Sequence, residues 1–577
     1  MRRHIAALGF LMMLLISCDS SKDESNCENS SKTLTELIKT YEDHEGYDET
    51  EYPLGLYTKE FYAAEAEFAK QQLSSFDCIQ ENELTETEQI SASLLKFVLQ
   101  EKIDFVEYEQ YLNPLLSDSG FHNNLPYEVR NITNPKEAKD YLNKLKAIPE
   151  YVDQHIALLR EGLEKGISQP RVIFNGYESS YDDHIVDEAE DSFYYSPFKN
   201  LPTSIEKEQQ DSIIEAAKAI VAEDVVPQFK KIKAFFEAEY LPNTRTTLGV
   251  SETPRGKEYY QNRINYYSTL NYTADEIHEL GLKEVARIRA EMEAIIKGVE
   301  FKGSFKEFLS FLRTDTQFYA KSPNELLMKA RDISKRVDAQ LPRFFKTLPR
   351  QPYGVAAVPD AIAPKYTGGR YIPADIKGTS PGYYWVNTYN LPSRPLYVLP
   401  SLTVHEAVPG HHLQIALNAE LGDSIPKFRR NLYLSAYGEG WGLYTEFLAN
   451  EFGIYSTPYE NFGKLTYEMW RACRLVVDTG IHAKGWTRDQ VVEFMSSNTA
   501  LSIHEVNTET DRYISWPGQA LSYKIGELKI RELRLKSENE LKEKFDIREF
   551  HEIILEQGTV TLPILERRVN TYIEANK

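Results

Sequence analysis

The sequence predicts a predominantly α-helical fold with one small β element. Apolar residues recur at spacings of three and four: Val285, Ile288, Met292 and Ile295 form a single stripe on one helix face. Helix starts are also legible. Thr273 and Glu276 form a capping box, in which each side chain satisfies a backbone N–H of the other residue. Ser322 and Glu325 form a second box, with Pro323 at the first helical position. Its helix should run through Leu326, Ile333 and Val337. Thr487 and Gln490 open another helix near the C-terminus. Residues 350–400 break this pattern, being dense in Pro, Gly and Tyr. Within them Tyr383–Thr388 is aromatic and β-branched, as a strand requires. No strict repeat and no long heptad array is visible.

The first residues read as an export signal. Arg2, Arg3 and His4 precede an apolar run from Ile5 to Ile16. That run has 12 residues, short of the roughly 20 needed to cross a bilayer. It has the length of a secretory core instead. It ends Leu15-Ile16-Ser17-Cys18, which resembles a bacterial lipobox. The resemblance implies cleavage before Cys18 and a lipid on its thiol. The expectation is an exported protein, lipid-anchored to a bacterial membrane on its periplasmic side or at the cell surface. The organisation that follows is a signal peptide at 1–18, a flexible polar tether at 19–32, a helical region at 33–349 and a catalytic helical region at 350–577.

Composition narrows the partners. The net charge is −21, and no basic stripe is present to displace counterions from phosphates, so nucleic acid is excluded. The excess acid reads as solvated surface. The 37 tyrosines suit a large helical body with a polar-lined cleft. Four cysteines occur: Cys18, Cys27, Cys78 and Cys473. An exported compartment permits a disulfide, and Cys27 with Cys78 is one possible pairing. Cys473 sits in an apolar helical stretch and should be a small buried hydrophobe.

The chemistry concentrates at residues 405–412, His-Glu-Ala-Val-Pro-Gly-His-His. Two imidazoles and one carboxylate can hold Zn²⁺ with a fourth position open to water. A glutamate next to the first histidine can take that water's proton. The usual spacing is H-E-x-x-H, and here it is longer. On a regular helix His411 would lie about 240° round from His405, and His412 about 10.5 Å along the axis. Neither reaches a shared ion. Pro409 cannot continue the helical hydrogen bonds, and Gly410 accepts unusual dihedrals. Looping out two residues would put His411 at the second ligand position, with His412 as the alternative. The third ligand should come from a later helix. Glu439 is the first choice, because Gly438, Gly440 and Gly442 around it would allow close helix approach; Glu446 is the alternative or an outer partner.

The segment His405–Gln414 resembles the signature of a bacterial lipoprotein family known as domain of unknown function 885. Further matching segments are 381–387, 439–446, 474–487 and 512–526. Several long motifs in order make the resemblance specific; it is strong over roughly 350–570 and looser before that. The family also looks like a relative of helical zinc peptidases. The resemblance implies a zinc-peptidase-like helical fold with a central cleft, and a β strand at the cleft edge beside the metal helix. It implies a zinc-dependent hydrolase acting on short peptides, with His405, His411 and Glu439 on the metal and Glu406 as general base. By analogy with such peptidases, Tyr523 should steady the oxyanion, with His482 or Tyr513 as alternatives. Asp478 and His482 share a helix face and could orient ligands. Tyr383, Asn387, Arg512 and Lys524 are candidate substrate contacts. Two other functions use the same sequence: a non-catalytic lipoprotein that captures glycans or peptides, and a zinc hydrolase of other amides or esters. Glu406 argues against the first, since a binding protein has no need of it.

Overall fold

The computed structural model describes residues 29–360, 362–374 and 380–577. The export signal, Cys18 and Cys27 lie outside the described residues. Helices dominate, with one three-stranded sheet. Among the described residues no helix is long and apolar enough to cross a membrane. The first described helix starts at Ser30, capped by the Asn29 side chain. The end of the expected tether is therefore folded: Ser30 Oγ donates to Glu83, which fixes the chain there.

The written helix starts form as the sequence dictates. Thr273 and Glu276 cap Ala274–Gly298, and Thr487 and Gln490 cap Arg488–Asn498. At Pro323–Asp338 the box is only half closed. Ser322 accepts from Glu325 N, but the Glu325 carboxylate reaches back to Lys321 N instead of Ser322 N. The apolar stripe of Ala274–Gly298 is buried at Val285, Ile288 and Met292.

The frame is a long helix, Pro458–Lys484, buried at nearly every position from Leu465 to His482. A helix buried on all sides belongs at the centre of a large protein. It divides two hydrophobic cores: Cys473, Val476 and Val477 face one, and Leu475 faces the other. Cys473 is free and buried, as its setting predicted. Both cores draw residues from each side of residue 350. Ala274–Gly298 lies along the long helix with Gly281 against Leu475 and Val476. Close packing also joins Ser435–Phe452, the glycine-rich helix, to Ser522–Leu541, where Gly440 meets Gly526.

The sheet has the order β1-β3-β2, with β1 at Tyr353–Ala357, β2 at Gly369–Ile372 and β3 at Gly382–Val386. β3 is parallel to β1 and antiparallel to β2. The strand expected near 383–388 is present, but as the central strand rather than the edge. Its two sides are taken by neighbours, so it cannot pair with another chain. Tyr384 and Val386 point into the core, while Tyr383 and Trp385 lie on the half-exposed face. β2 is the strand beside the metal motif.

A methyl at Gly526 would lie 1.9 Å from Ala436 O, in helix backbone that cannot move aside cheaply. Gly526→Ala should therefore lower stability by about 1–3 kcal/mol, the usual cost of overpacking. Chemical denaturation measures it. A change within experimental error would contradict this helix contact.

Candidate metal centre

The motif helix, Leu399–Glu406, stops at the residue after His405, and a new helix, His411–Glu420, begins at the second histidine. Between them the hydrogen bonds change register. Gly410 N donates to Val404 O at 2.9 Å, six residues back, where a regular helix would use four. Two residues are thus looped out, and the six-residue step from His405 to His411 acts as a step of four. Gly410 is obligatory, since a Cβ there would fall 1.9 Å from His405 O. The Val408–Pro409 peptide is cis, and Pro409 O accepts from Trp441 Nε1 at 2.8 Å. That bond ties the loop to the glycine-rich helix.

Three side chains converge at this break. His405 Nε2 and His411 Nε2 lie 3.4 Å and 3.5 Å from Glu439 Oε2. All three ligand atoms fall within 4.8 Å of one another. These separations are long for hydrogen bonds. The two separations to Glu439 come close to the roughly 3.3–3.4 Å that zinc bonds of about 2.0–2.1 Å at tetrahedral angles give, while the set as a whole spans up to 4.8 Å and would close further around an ion. The donor set therefore fits one small divalent ion. His411 Nδ1 is buried without a hydrogen-bond partner.

The glycine-rich helix positions His405 from three points on one face. Glu439, Gly442 and Glu446 are spaced by three and four. The His405 ring sits in the notch at Gly442, where a Cβ would lie 2.7 Å from its Cε1. Its Nε2 faces Glu439, and its Nδ1 is 2.8 Å from Glu446 Oε1. A carboxylate behind a histidine fixes the tautomer that leaves the other nitrogen free to ligate. Glu446 thus stands behind His405 rather than beside the shared point, and Arg471 Nη2 is 3.5 Å from it. Of the other two glycines, Gly440 serves the contact with Gly526, and Gly438 lies against the Tyr433 ring. Burial would lower the His405 pKa, but the carboxylates of Glu439 and Glu446 raise it to about 10. Burial raises and the two imidazoles lower Glu439, and the imidazoles win: it lies well below the usual carboxylate range.

Glu406 is held from the sheet. Its Oε2 accepts from Tyr371 N of β2 at 2.8 Å. His412, the alternative ligand, points elsewhere: its Nδ1 is 3.0 Å from Tyr371 Oη and its ring packs on Tyr353. Two further groups surround the site that the sequence did not single out. Tyr433 Oη donates to Glu439 Oε1 at 2.9 Å. Arg370, next to Tyr371 on β2, pairs with the Tyr366 hydroxyl, and its charge also reaches Glu406 and Tyr523. One tyrosine among 37 carries no signal of its own, and Arg370 stands outside the recurring motifs.

The remaining expected residues divide. Tyr523 stays near the site, interacting with Tyr433 and Arg370. Arg512 Nη2 lies 3.4 Å from the Tyr523 hydroxyl and 2.7 Å from Gln519 Oε1. His482 does not belong to the site. It is fully buried, with Nδ1 accepting from Val250 N and Nε2 donating to Tyr513 O, so both nitrogens are spent on backbone. Burial lowers its pKa to about 3. Asp478 does not pair with it, taking Tyr260 Oη and Gly518 N instead. Tyr513 Oη accepts from Trp470 Nε1 and Arg474 Nε. Lys524 is not a substrate contact either, being fully buried among Glu284, Glu468 and Glu527. Asn387 is also buried, and its amide donates to Ala363 O, Tyr366 O and Thr367 O, clamping a loop. Tyr383 packs its ring on Gly354. Cys78 is disulfide-bonded, while Cys27, the partner of one possible pairing, lies outside the described residues.

Two substitutions test the seat of His405. Glu446→Gln should weaken metal binding by about 10–100-fold while sparing the three ligands. Gly442→Ala should push the imidazole off its position and weaken binding at least as much. Competition with a chromophoric chelator reads both; unchanged affinity in either variant would contradict the arrangement.

The family comparison agrees with this architecture. No curated protein matches the chain. Among solved structures, "the putative lipoprotein from Colwellia psychrerythraea" superposes with a TM-score of 0.84 at 29% identity, covering 95% of this chain and 98% of that one. "A putative lipoprotein of unknown function from Shewanella oneidensis" shares the fold, with a TM-score of 0.63 at 17% identity over 92% of this chain and 96% of that one. The profile described as "bacterial protein of unknown function (DUF885)" matches residues 42–569, and the chain belongs to that family.

Proposed function

We propose that the protein is an exported, lipid-anchored hydrolase that uses zinc to cleave short peptides. One observation carries this: two imidazoles and a carboxylate, drawn from three helices, converge on one point, and the residue after the first histidine is a glutamate. Export and lipid attachment rest on the lipobox-like Leu15–Cys18 and on the lipoprotein descriptions of the two structural relatives.

Zn²⁺ held by His405, His411 and Glu439 would supply a Lewis acid and an acidified water. Glu406 acts as the general base. Tyr371 N holds one of its oxygens, which leaves the other free to accept a proton and return it to the leaving amine. Tyr523 supports the developing oxyanion. Its hydroxyl lies beside the Arg512 guanidinium, which can donate to it, so its own O–H remains available to donate. Arg370 adds positive charge near the same place. Tyr433 keeps Glu439 oriented by donating to its second oxygen.

The test is hydrolysis of a quenched peptide library by the zinc-loaded protein. Wild type should cleave, a chelator should stop it, and Glu406→Gln should lose about 10²–10⁴-fold in rate with unchanged metal content. A zinc-loaded wild type that binds peptides or glycans without cleaving them would overturn the proposal in favour of a binding lipoprotein. Cleavage confined to esters or non-peptide amides would move it to a different substrate class.

A further inference from the structure

A second cavity, of about 210 Å³, lies one helical turn from the metal motif. Leu399 and Leu402 of the motif helix form one wall. Leu402 is four residues before Glu406 and shares its helix face. At roughly 30 Å³ per water the space would hold about seven waters, the size of one amino acid.

Its lining is mostly apolar, with two buried polar atoms that the protein does not satisfy and one carboxylate left unpaired. Thr466 is fully buried, and its Oγ1 has no hydrogen-bond partner. Arg394 Nε is buried and equally unpartnered. Glu505 feels the charge of Arg394, Arg471 and Arg474, yet among the described residues its carboxylate makes no hydrogen bond or ion pair. Buried polar groups are nearly always paired, and exceptions call for a missing partner. A guanidinium and a carboxylate facing one space would normally close on each other. Here they stay apart. Arg313 also lines the cavity, but its guanidinium is spent on the carbonyls of Ser496, Thr499 and Leu501. Ile503, half exposed, stands at the rim.

We infer that this cavity binds a small zwitterion: one carboxylate on Arg394, one ammonium on Glu505, and a short apolar frame against Leu399 and Leu402. Two sources share that chemistry. One is a free amino acid; the other is a peptide end that bears both charges, such as a C-terminal lysine. The inference stands without hydrolysis, because it rests on groups outside the metal centre. The Glu505 carboxyl, pushed up to about 7 by burial and Glu509 against the three arginines, is poised to gain from a cationic neighbour.

The experiment is calorimetric titration and thermal shift of the purified chain. The probes are leucine, 6-aminohexanoate, the N-acetyl and methyl-ester derivative of each, and acetyl-alanyl-lysine. At least one zwitterion should bind, and each single-charge derivative should bind about 10-fold more weakly or worse. Arg394→Gln should erase the preference for the free acid, and Glu505→Gln the preference for the free amine. Binding of the free amino acids alone identifies them as the ligand; binding of acetyl-alanyl-lysine alone identifies a peptide end. The inference is overturned if no zwitterion binds at millimolar concentration, or if the derivatives bind as well as their parents. The derivative series needs only wild type, so it decides the matter even if a variant fails to fold.

Discussion

His405 lies across one face of the glycine-rich helix, with a carboxylate at each end of its ring, and the candidate metal centre depends on that placement. Glu439 and Glu446 are two turns apart, and Gly442 between them leaves the notch the imidazole fills. One nitrogen is spent on Glu446, so the other must face Glu439. The second histidine joins only because the motif helix breaks and restarts in a shifted register. Three helices and one irregular loop thus create a site that no helix holds alone. The loop itself is anchored by Trp441, which belongs to the same glycine-rich helix.

The surrounding frame is held by burial and by charge together. Lys524 meets Glu284, Glu468 and Glu527, joining the helices Ala274–Gly298, Pro458–Lys484 and Ser522–Leu541. Arg287 bridges two of the same carboxylates. Desolvating these charges is expensive, so such a cluster gives modest net stability but tolerates no unpaired member. It also fixes the helix that carries Tyr523. By contrast, the charges around the second cavity are not closed on one another. That difference separates structural ion pairs from groups that await a ligand.

The sheet has a similar division of labour. β3 is interior and packs Tyr384 and Val386 inward, while β2 turns a backbone N–H toward Glu406. A backbone donor cannot be read from side-chain identity, so the role of Tyr371 was invisible in the sequence. Tyr371 also takes His412 through its hydroxyl, which keeps that histidine away from the ligand set.

What the chain's sequence determined by itself was local. Period, helix starts and the strand of β-branched and aromatic residues depend on neighbours a few positions away, and they formed where the pattern put them, except that the Ser322 box closed on one side only. The reason for preferring His411 over His412 was equally local, since Pro409 and Gly410 allow only a loop. Tertiary structure decided the rest. Whether His482, Lys524 and Asn387 face a site or the interior depends on which helix covers them, and each found its partners in distant segments: Val250 for His482, Glu284 for Lys524, Ala363 for Asn387. Polar residues at helical spacing look alike in sequence whether they meet substrate or bury a bond. Only the packing of helices far apart in the chain distinguishes them.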